Sequence, residues 1–418
     1  MTAADLFAKA MADLAGPERS GPFGIAVSGG GDSVALMALA ADWARAEAVV
    51  MRVATVDHGL RAEAAEEARR VAAPAASLGL AQHTLTWRWD GAGNLQDAAR
   101  RGRMRVLADW AAARGLKAVL LGHTRDDVAE TFLMRLARGS GVDGLSAMAP
   151  RRMAEGTVWL RPLLGFTRAE LRAELARRGL AWAEDPSNDD PRFDRARARQ
   201  VLAPLAPLGI AAGTLAATAD RLPSASTVLR GVASEAAGRA VRQGTAGEAL
   251  IDAAGFADLP AEIAHRILAG VLVWIASADY PPRHEALQQL AAGLRQGRGG
   301  TLHGCLVSVS AGLIVACREA QAVAALEVPA PGLWDGRWHL SGPTSAPASG
   351  GGLTIRALGE AGLALCPDWR ATAAARAALL AGPAVWQGDR LVAAPLAGRA
   401  EGWSAALERP IAAAFSVH

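Results

Sequence analysis

The sequence predicts an α/β protein. It should open with an N-terminal domain built on a parallel sheet with helices on both faces, followed by a mainly helical domain and a small C-terminal module. Three observations predict this. Short apolar runs alternate with stretches of helical period as far as Arg138. Several of those runs stop at turns rich in glycine or histidine, as strands do at the ligand-binding edge of a parallel sheet. The chain then loosens into proline and glycine around residues 203–213, and again over 328–352.

Each element has its own reason. Phe23–Val27 is an apolar run ending at glycines and reads as a buried strand. Val34, Leu36, Met37, Leu39, Ala40 and Trp43 recur at helical spacing, so a helix follows over Ser33–Ala46. Val49–Val56 is β-branched and stops at Asp57-His58-Gly59, a second strand. Arg61–Leu78 reads as a helix, Gln82–Trp87 as a third strand and Asn94–Ala113 as a long helix. Lys117–Leu121 is a fourth strand and Asp126–Arg138 a further helix. Thr167 with Glu170 forms a capping box, and Gly179 stands where that helix must end. The expected domains are residues 1–205, 214–320 (mainly helical, with strand near Leu302–Val315) and 353–418, with 328–352 read as a linker.

The 418 residues carry a net charge of only +3, but its distribution is uneven. Residues 97–200 hold 20 Lys+Arg against 14 Asp+Glu, and Lys9 and Lys117 are the only lysines in the chain. An arginine excess suits phosphate partners through forked hydrogen bonds, and equally suits solvated helix faces. Cys305, Cys317 and Cys366 are odd in number and include no CxxC pair, which argues against a disulfide framework or a thiolate metal site. The expected home is a reducing cytoplasm. The N-terminal segment lacks a long apolar core, and no apolar run is long enough to suggest a membrane span.

The chemistry starts at SGGGDS, residues 28–33. A glycine-rich turn between strand and helix exposes backbone N–H groups to an anion, and the helix N-terminus adds partial positive charge. The Ser28 and Ser33 hydroxyls can extend that cradle, and Asp32 can hold a divalent cation against phosphates. Asp32 can also serve as a simple cap at the start of the helix, and the two roles can coexist. The loop lacks both the G-x-x-x-x-G-K-[ST] and the G-x-G-x-x-G spacings.

This loop resembles the SGGxDS loop of the ATP pyrophosphatase (PP-loop) superfamily, whose adenine-nucleotide α-hydrolase-like, Rossmann-like domains cut ATP between the α and β phosphates. Five further blocks narrow the resemblance. VDHGLR at 56–61, NLQDAAR at 94–100, GHTRDDVAET at 122–131, RGSGVDGL at 138–145, and RPLL at 161–164 with EDPSN at 184–188 are similar to the blocks of the tRNA(Ile)-lysidine synthetase family, in family order. The chain departs from that pattern at Met104, Val128 and Ala196, where the family usually has tyrosine, glutamine and asparagine. Beyond about residue 214 the resemblance is weak.

The resemblance implies a reaction. ATP, with Mg²⁺, adenylates the C2 oxygen of the wobble cytidine in a tRNA(Ile) bearing a CAU anticodon, and free L-lysine then displaces AMP. It also implies a site. Ser28, Gly29, Gly30, Gly31, Asp32, Ser33 and His58 would face the nucleotide, with Arg100 and Arg103 neutralising its phosphates and Asp32 holding Mg²⁺. Asp126, Asp127 and Glu130 would bind lysine, sharing a helix face by their spacing. Three acids on a first helical turn also favour the helix dipole, so that alternative stands beside it. Asp32, His123, Asp127 and Glu130 are the expected catalytic set. Arg138, Arg192, Arg195, Arg197 and Arg199, with Phe193 among them, would grip RNA, unless the interleaved Asp189, Asp190 and Asp194 make them a salt-bridged surface. The oligomeric state is open, and a homodimer is compatible with the sequence.

Two rivals share the loop. A tRNA base thiolase needs a persulfide cysteine or an iron–sulfur cluster, yet residues 1–304 hold no cysteine. A non-catalytic nucleotide- or tRNA-binding module would be expected to lose the set around His123, Asp126, Asp127 and Glu130. An amidotransferase, a third reading, would bring a glutaminase cysteine near the N-terminus.

Overall fold

In the computed structural model, which describes all residues except 58–63, 90, 92–94, 184–189, 191, 193, 344–351 and 417–418, the apolar runs become strands and the periodic stretches helices. Helix α1 (Ala3–Ala15) leads to β1 (Phe23–Ala26), α2 (Gly31–Ala46), β2 (Met51–Asp57), α3 (Ala64–Ser77), β3 (Ala81–Thr86), α4 (Leu95–Ala113), β4 (Ala118–Leu121) and α5 (Arg125–Leu136). A single turn, α6 (Val142–Leu145), precedes a hairpin of β5 (Arg151–Ala154) and β6 (Thr157–Leu160), followed by α7 (Arg168–Arg177), α8 (Asp194–Leu205) and α9 (Ala212–Ala240).

The sheet order is β3-β2-β1-β4-β6-β5. All neighbours are parallel except β5, which pairs antiparallel with β6 at the edge. A parallel sheet covered on both faces needs strands that are apolar throughout, and all four residues of β4 are buried. On one face, Phe7 and Met11 of α1, Leu36, Leu39 and Trp43 of α2, and Leu171 and Leu175 of α7 pack with Phe23 and Ile25 of β1. On the other, Leu107 and Trp110 of α4 pack with Val119, Leu121 and Trp159. Each such side chain contributes about 1.5–3 kcal/mol when fully buried, so these two clusters hold the helices to the sheet.

Four-residue β5 and β6 carry too little pattern to be read from sequence. Their connection, Glu155-Gly156, has φ of 52° and 65°, the two-residue turn whose twist suits a hairpin. The capping box at Thr167 forms, and Gly179 has φ of 66°. Among the described residues no single helix is long and apolar enough to cross a membrane.

The chain divides into two units, Met1–Ser224 and Ala225–His418, and the boundary falls inside α9. The second unit is richer in strands than expected. Strands β7 (Val241–Gln243), β8 (Ala249–Asp252), β9 (Gly300–Leu302), β10 (Cys305–Ser310) and β11 (Leu313–Arg318) make an antiparallel sheet, ordered β7-β8-β11-β10-β9. Helices α10 (Ala253–Asp258), α11 (Ala261–Ala276) and α12 (His284–Arg295) interrupt that run, and Ile267, Val271 and Leu290 share its core. Residues 344–351 lie outside the described residues, and over 328–341 the reading of 328–352 as a linker is corrected. Strands β12 (Val328–Pro329), β13 (Gly332–Trp334) and β14 (Trp338–Ser341) lie there, with Trp334, Trp338 and Leu340 buried. Asp335 and Gly336, with φ of 52° and 59°, make the tight turn between β13 and β14.

Candidate active site

The sheet order places the site. The chain runs outward from β1 through β2 to β3, then returns to lay β4 on the other side of β1. Ligands of open α/β sheets bind at the carboxyl ends of the two strands where the order reverses. Residues 27–30 leave β1 at that point, and Gly122-His123-Thr124 leaves β4. The two turns touch: a Cβ on Gly122 would come within 3.3 Å of the Asp32 carbonyl oxygen and the Ser33 Cα.

Gly29 takes φ of 92°, a conformation open to glycine and strained for other residues. Gly30 caps α2 without a side chain, so the first amides of the helix have no side-chain cap competing for them. The Ser33 hydroxyl donates to Gly30 O at 2.8 Å and accepts from Ser28 N at 3.2 Å, which braces the loop from within. Ser28 is exposed, with its Oγ 3.3 Å from that of Ser33. Ala183 N donates to Gly29 O at 3.0 Å, so the segment after α7 lies against the loop.

The acids arrive from α5. Thr124 caps the helix, and its N and Oγ1 both donate to Asp127 Oδ2 at 2.8 Å. Arg168, the first residue of α7, joins them to the loop. Its Nε donates to Asp32 Oδ2 at 3.2 Å and its Nη2 to Asp127 Oδ1 at 2.7 Å. Nη1 and Nη2 fork onto the two oxygens of Glu130, and Arg199 Nε adds a bond to Glu130 Oε1 at 3.0 Å. The Arg168 backbone N–H donates to Asp126 Oδ2 at 2.9 Å. Glu130 is wholly buried.

Burial raises the Asp32 carboxyl above its usual range, aided by Asp127 and Asp126 and opposed by Arg168. Burial would also raise Asp127, but Arg168, the Thr124 hydrogen bonds and His123 outweigh it and hold that carboxyl low. Desolvation opposes the charge on Arg168, and Glu130, Asp127 and Asp32 more than offset it, so its pKa rises. His123 goes the other way. Burial and the charges of Arg161, Arg195 and Arg103 push it down to about 3 against the pull of Asp127. It is therefore neutral at physiological pH, with Nδ1 accepting from Arg161 Nε at 3.2 Å.

Asp32, His123, Asp126, Asp127 and Glu130 thus lie at one sheet edge. Arg103, half-buried on α4, is lowered by burial and by the charges of Arg195 and Arg100. That is a set of like charges suited to an anion. Arg100 and Arg195 are exposed. The other basic residues engage acids: Arg138 with Asp194 at 2.7 Å, Arg192 with Asp190 at 2.6 Å, Arg197 with Asp194, and Arg199 with Glu130. His58, Asp189 and Phe193 lie outside the described residues.

Two site residues were not foreseen, Arg161 and Arg168. Arg161 sits inside the RPLL block. Arg168 carries a readable signal, since a cation at the first residue of a helix opposes the dipole and needs a local reason.

A family model described as a PP-loop domain matches residues 4–206. The tRNA(Ile)-lysidine synthase of Ruegeria pomeroyi is 52% identical over 386 residues, 92% of this chain and 91% of that protein. That of Hyphomonas neptunium is 43% identical over 296 residues, 69% of this chain and 78% of that protein. That of Wolbachia pipientis wMel is 35% identical over 328 residues, 76% of each. With a PP-loop domain at its N-terminal end and this agreement along most of its length, the chain belongs to the tRNA(Ile)-lysidine synthase family.

Proposed function

We propose that this enzyme joins free lysine to C2 of the wobble cytidine in the CAU anticodon of tRNA(Ile). The C2 oxygen attacks the α-phosphorus of ATP, the bond to the β-phosphate breaks, and pyrophosphate leaves. The unprotonated ε-amine of lysine then attacks C2, the C2–O bond breaks, and AMP leaves. The product, lysidine, pairs with A instead of G, so the tRNA reads AUA and is charged with isoleucine instead of methionine.

One observation carries this reading: the phosphate loop and the carboxylates of α5 converge at the β1/β4 switch point, joined through Arg168. The amides of Gly29, Gly30 and Gly31 and the Ser28 hydroxyl would meet the polyphosphate, with Ser33 bracing the loop from within and Arg100 and Arg103 offering positive charge. Neutral His123 can donate from Nε2 to an oxygen of the adenylated base, because Arg161 occupies Nδ1. Asp126, Asp127 and Glu130 supply the negative field that gathers the lysine ammonium, whose proton passes to a carboxylate oxygen free of other donors.

Magnesium takes one or two carboxylates together with substrate phosphates and water. Asp32 fits that use, having one oxygen without a hydrogen bond among the described residues. There, Mg²⁺ would neutralise the departing pyrophosphate.

Arg138, Arg192, Arg195, Arg197 and Arg199 contact tRNA phosphates. The exposed pairs of Arg138, Arg192 and Arg197 are worth little, and phosphates can replace them. Residues 1–205 carry the chemistry, and 214–320 and 353–418 hold the tRNA. The reaction places the protein in the cytoplasm.

The test mixes the protein with ATP, Mg²⁺, labelled lysine and tRNA(Ile) of CAU anticodon. Label should enter the tRNA, with one AMP and one pyrophosphate formed per lysine. A requirement for sulfide in place of lysine would overturn the reading in favour of a thiolase.

A further inference from the structure

Arg168 stands at the dipole-disfavoured end of α7 with its side chain only 17% exposed. Its partners explain why it stays there, and they also sort the four acids into two kinds. Glu130 has both oxygens occupied, Oε1 by Arg168 and Arg199 and Oε2 by Arg168. Asp127 has both occupied as well, Oδ1 by Arg168 and Oδ2 by the two Thr124 donors. Asp32 and Asp126 each spend one oxygen on Arg168 and keep the other without a hydrogen bond among the described residues.

We propose that Arg168 is a positioning residue of this active site. It ties the phosphate loop to α5 through Asp32, Asp127 and Glu130, and leaves the open oxygens of Asp32 and Asp126 as the acceptors for the cationic reactants, with Asp126 receiving the lysine ammonium. This rests on the lysine-ligation reading above. Asp127 and Glu130 then act through Arg168 by holding its guanidinium in place. A planar fork is required, because one point charge cannot donate along three separate directions at once. Misplacement of a reacting group by about 1 Å costs on the order of 100-fold in rate, so a tie of this kind should be visible in turnover.

The experiment compares the unaltered protein with Arg168→Lys and with the double variant Arg168→Met/Glu130→Gln. The second removes the cation together with the charge of Glu130, its one wholly buried partner, while Asp127 keeps its Thr124 donors, so it leaves less uncompensated buried charge than loss of Arg168 alone. Each is measured by thermal melting, by the KM for ATP and the KM for lysine, and by kcat for lysine incorporation into tRNA(Ile). The expected result for Arg168→Lys is a lysine KM raised about 10-fold or more and kcat lowered about 100-fold, with a smaller change in the ATP KM and a cooperative melt retained. The double variant should melt normally and stay as slow. Wild-type kinetics in either variant would overturn the proposal. So would a loss that follows the melting temperature and falls equally on ATP and lysine, because that is the signature of a merely structural arginine. If the unaltered protein fails to incorporate lysine while binding ATP, the functional reading itself falls, and this proposal with it.

Discussion

Two arginines, partly buried Arg168 in one unit and buried Arg337 in the other, have opposite surroundings. Arg168 is ringed by carboxylates, and its pKa is raised despite burial. Arg337, 5% exposed, lies 4.3 Å from the ring centre of Trp274 and 5.7 Å from that of Trp338, and donates to Gly247 O. Burial pushes it down to about 10, with Asp335 opposing. That aspartate is engaged by Arg318 at 2.8 Å and 3.1 Å. A buried cation stacked on indoles fills space and satisfies a carbonyl. A cation that gathers three acids from two separate helices, α2 and α5, concentrates charge where a ligand must be handled. The company an arginine keeps, more than its burial, separates packing from chemistry.

The largest effect that would sharpen this contrast is at the loop. Asp32→Asn should lower kcat/KM for lysine incorporation by about 100-fold or more while leaving the melting temperature near that of the unaltered protein. Arg337→Leu should do the reverse. It should destabilise by about 2–4 kcal/mol in a denaturant titration, through loss of the stacking and an unpaired carbonyl at Gly247, with unchanged kcat per folded molecule. An equal loss of turnover there would break the comparison.

Thr124→Ala removes the helix cap and the hydroxyl, one of the two donors that hold Asp127 Oδ2, and keeps the backbone N–H. It should cost about 1 kcal/mol in stability and also raise the lysine KM. Arg192→Ala trades an exposed pair with Asp190. It should leave the melting temperature unchanged and lower the salt slope of tRNA binding by about 1. The smallest effect is a pH dependence. Hydrogen bonds from Arg177 and Arg178 outweigh partial desolvation and hold Glu174 at about 2, below the usual 4.5. A depressed carboxyl contributes stability above its unfolded pKa and loses it as pH falls through the folded one. The drop in melting temperature between about pH 4.5 and pH 2 should therefore be shallower in Glu174→Gln.

Much of the site was legible because its parts are local. The loop at 28–33, the spacing of Asp126, Asp127 and Glu130, and the Thr167 capping box are all patterns within one turn or one helix. The edge hairpin β5–β6 and the strands within 328–341 were missed because runs of two to four residues show almost no period. The arginines of 192–199 illustrate the limit from the other side. Their spacing allowed either an RNA grip or a salt-bridged surface, and their pairing with Asp190 and Asp194 became visible only with the backbone in place.

The sequence by itself determined the alternation of strand and helix, the phosphate loop, the acidic helix and the family blocks, since these rest on backbone propensity and on neighbours three or four residues apart. Only the tertiary structure decided that Arg168 reaches Asp32 across 136 residues of chain, and that Asp127 and Glu130 are saturated while Asp32 and Asp126 are not. The physical reason is the strand order. By laying β4 on the far side of β1, the sheet brings together turns that sequence distance keeps apart, and a partly buried guanidinium then selects the carboxylates that geometry has placed within its reach.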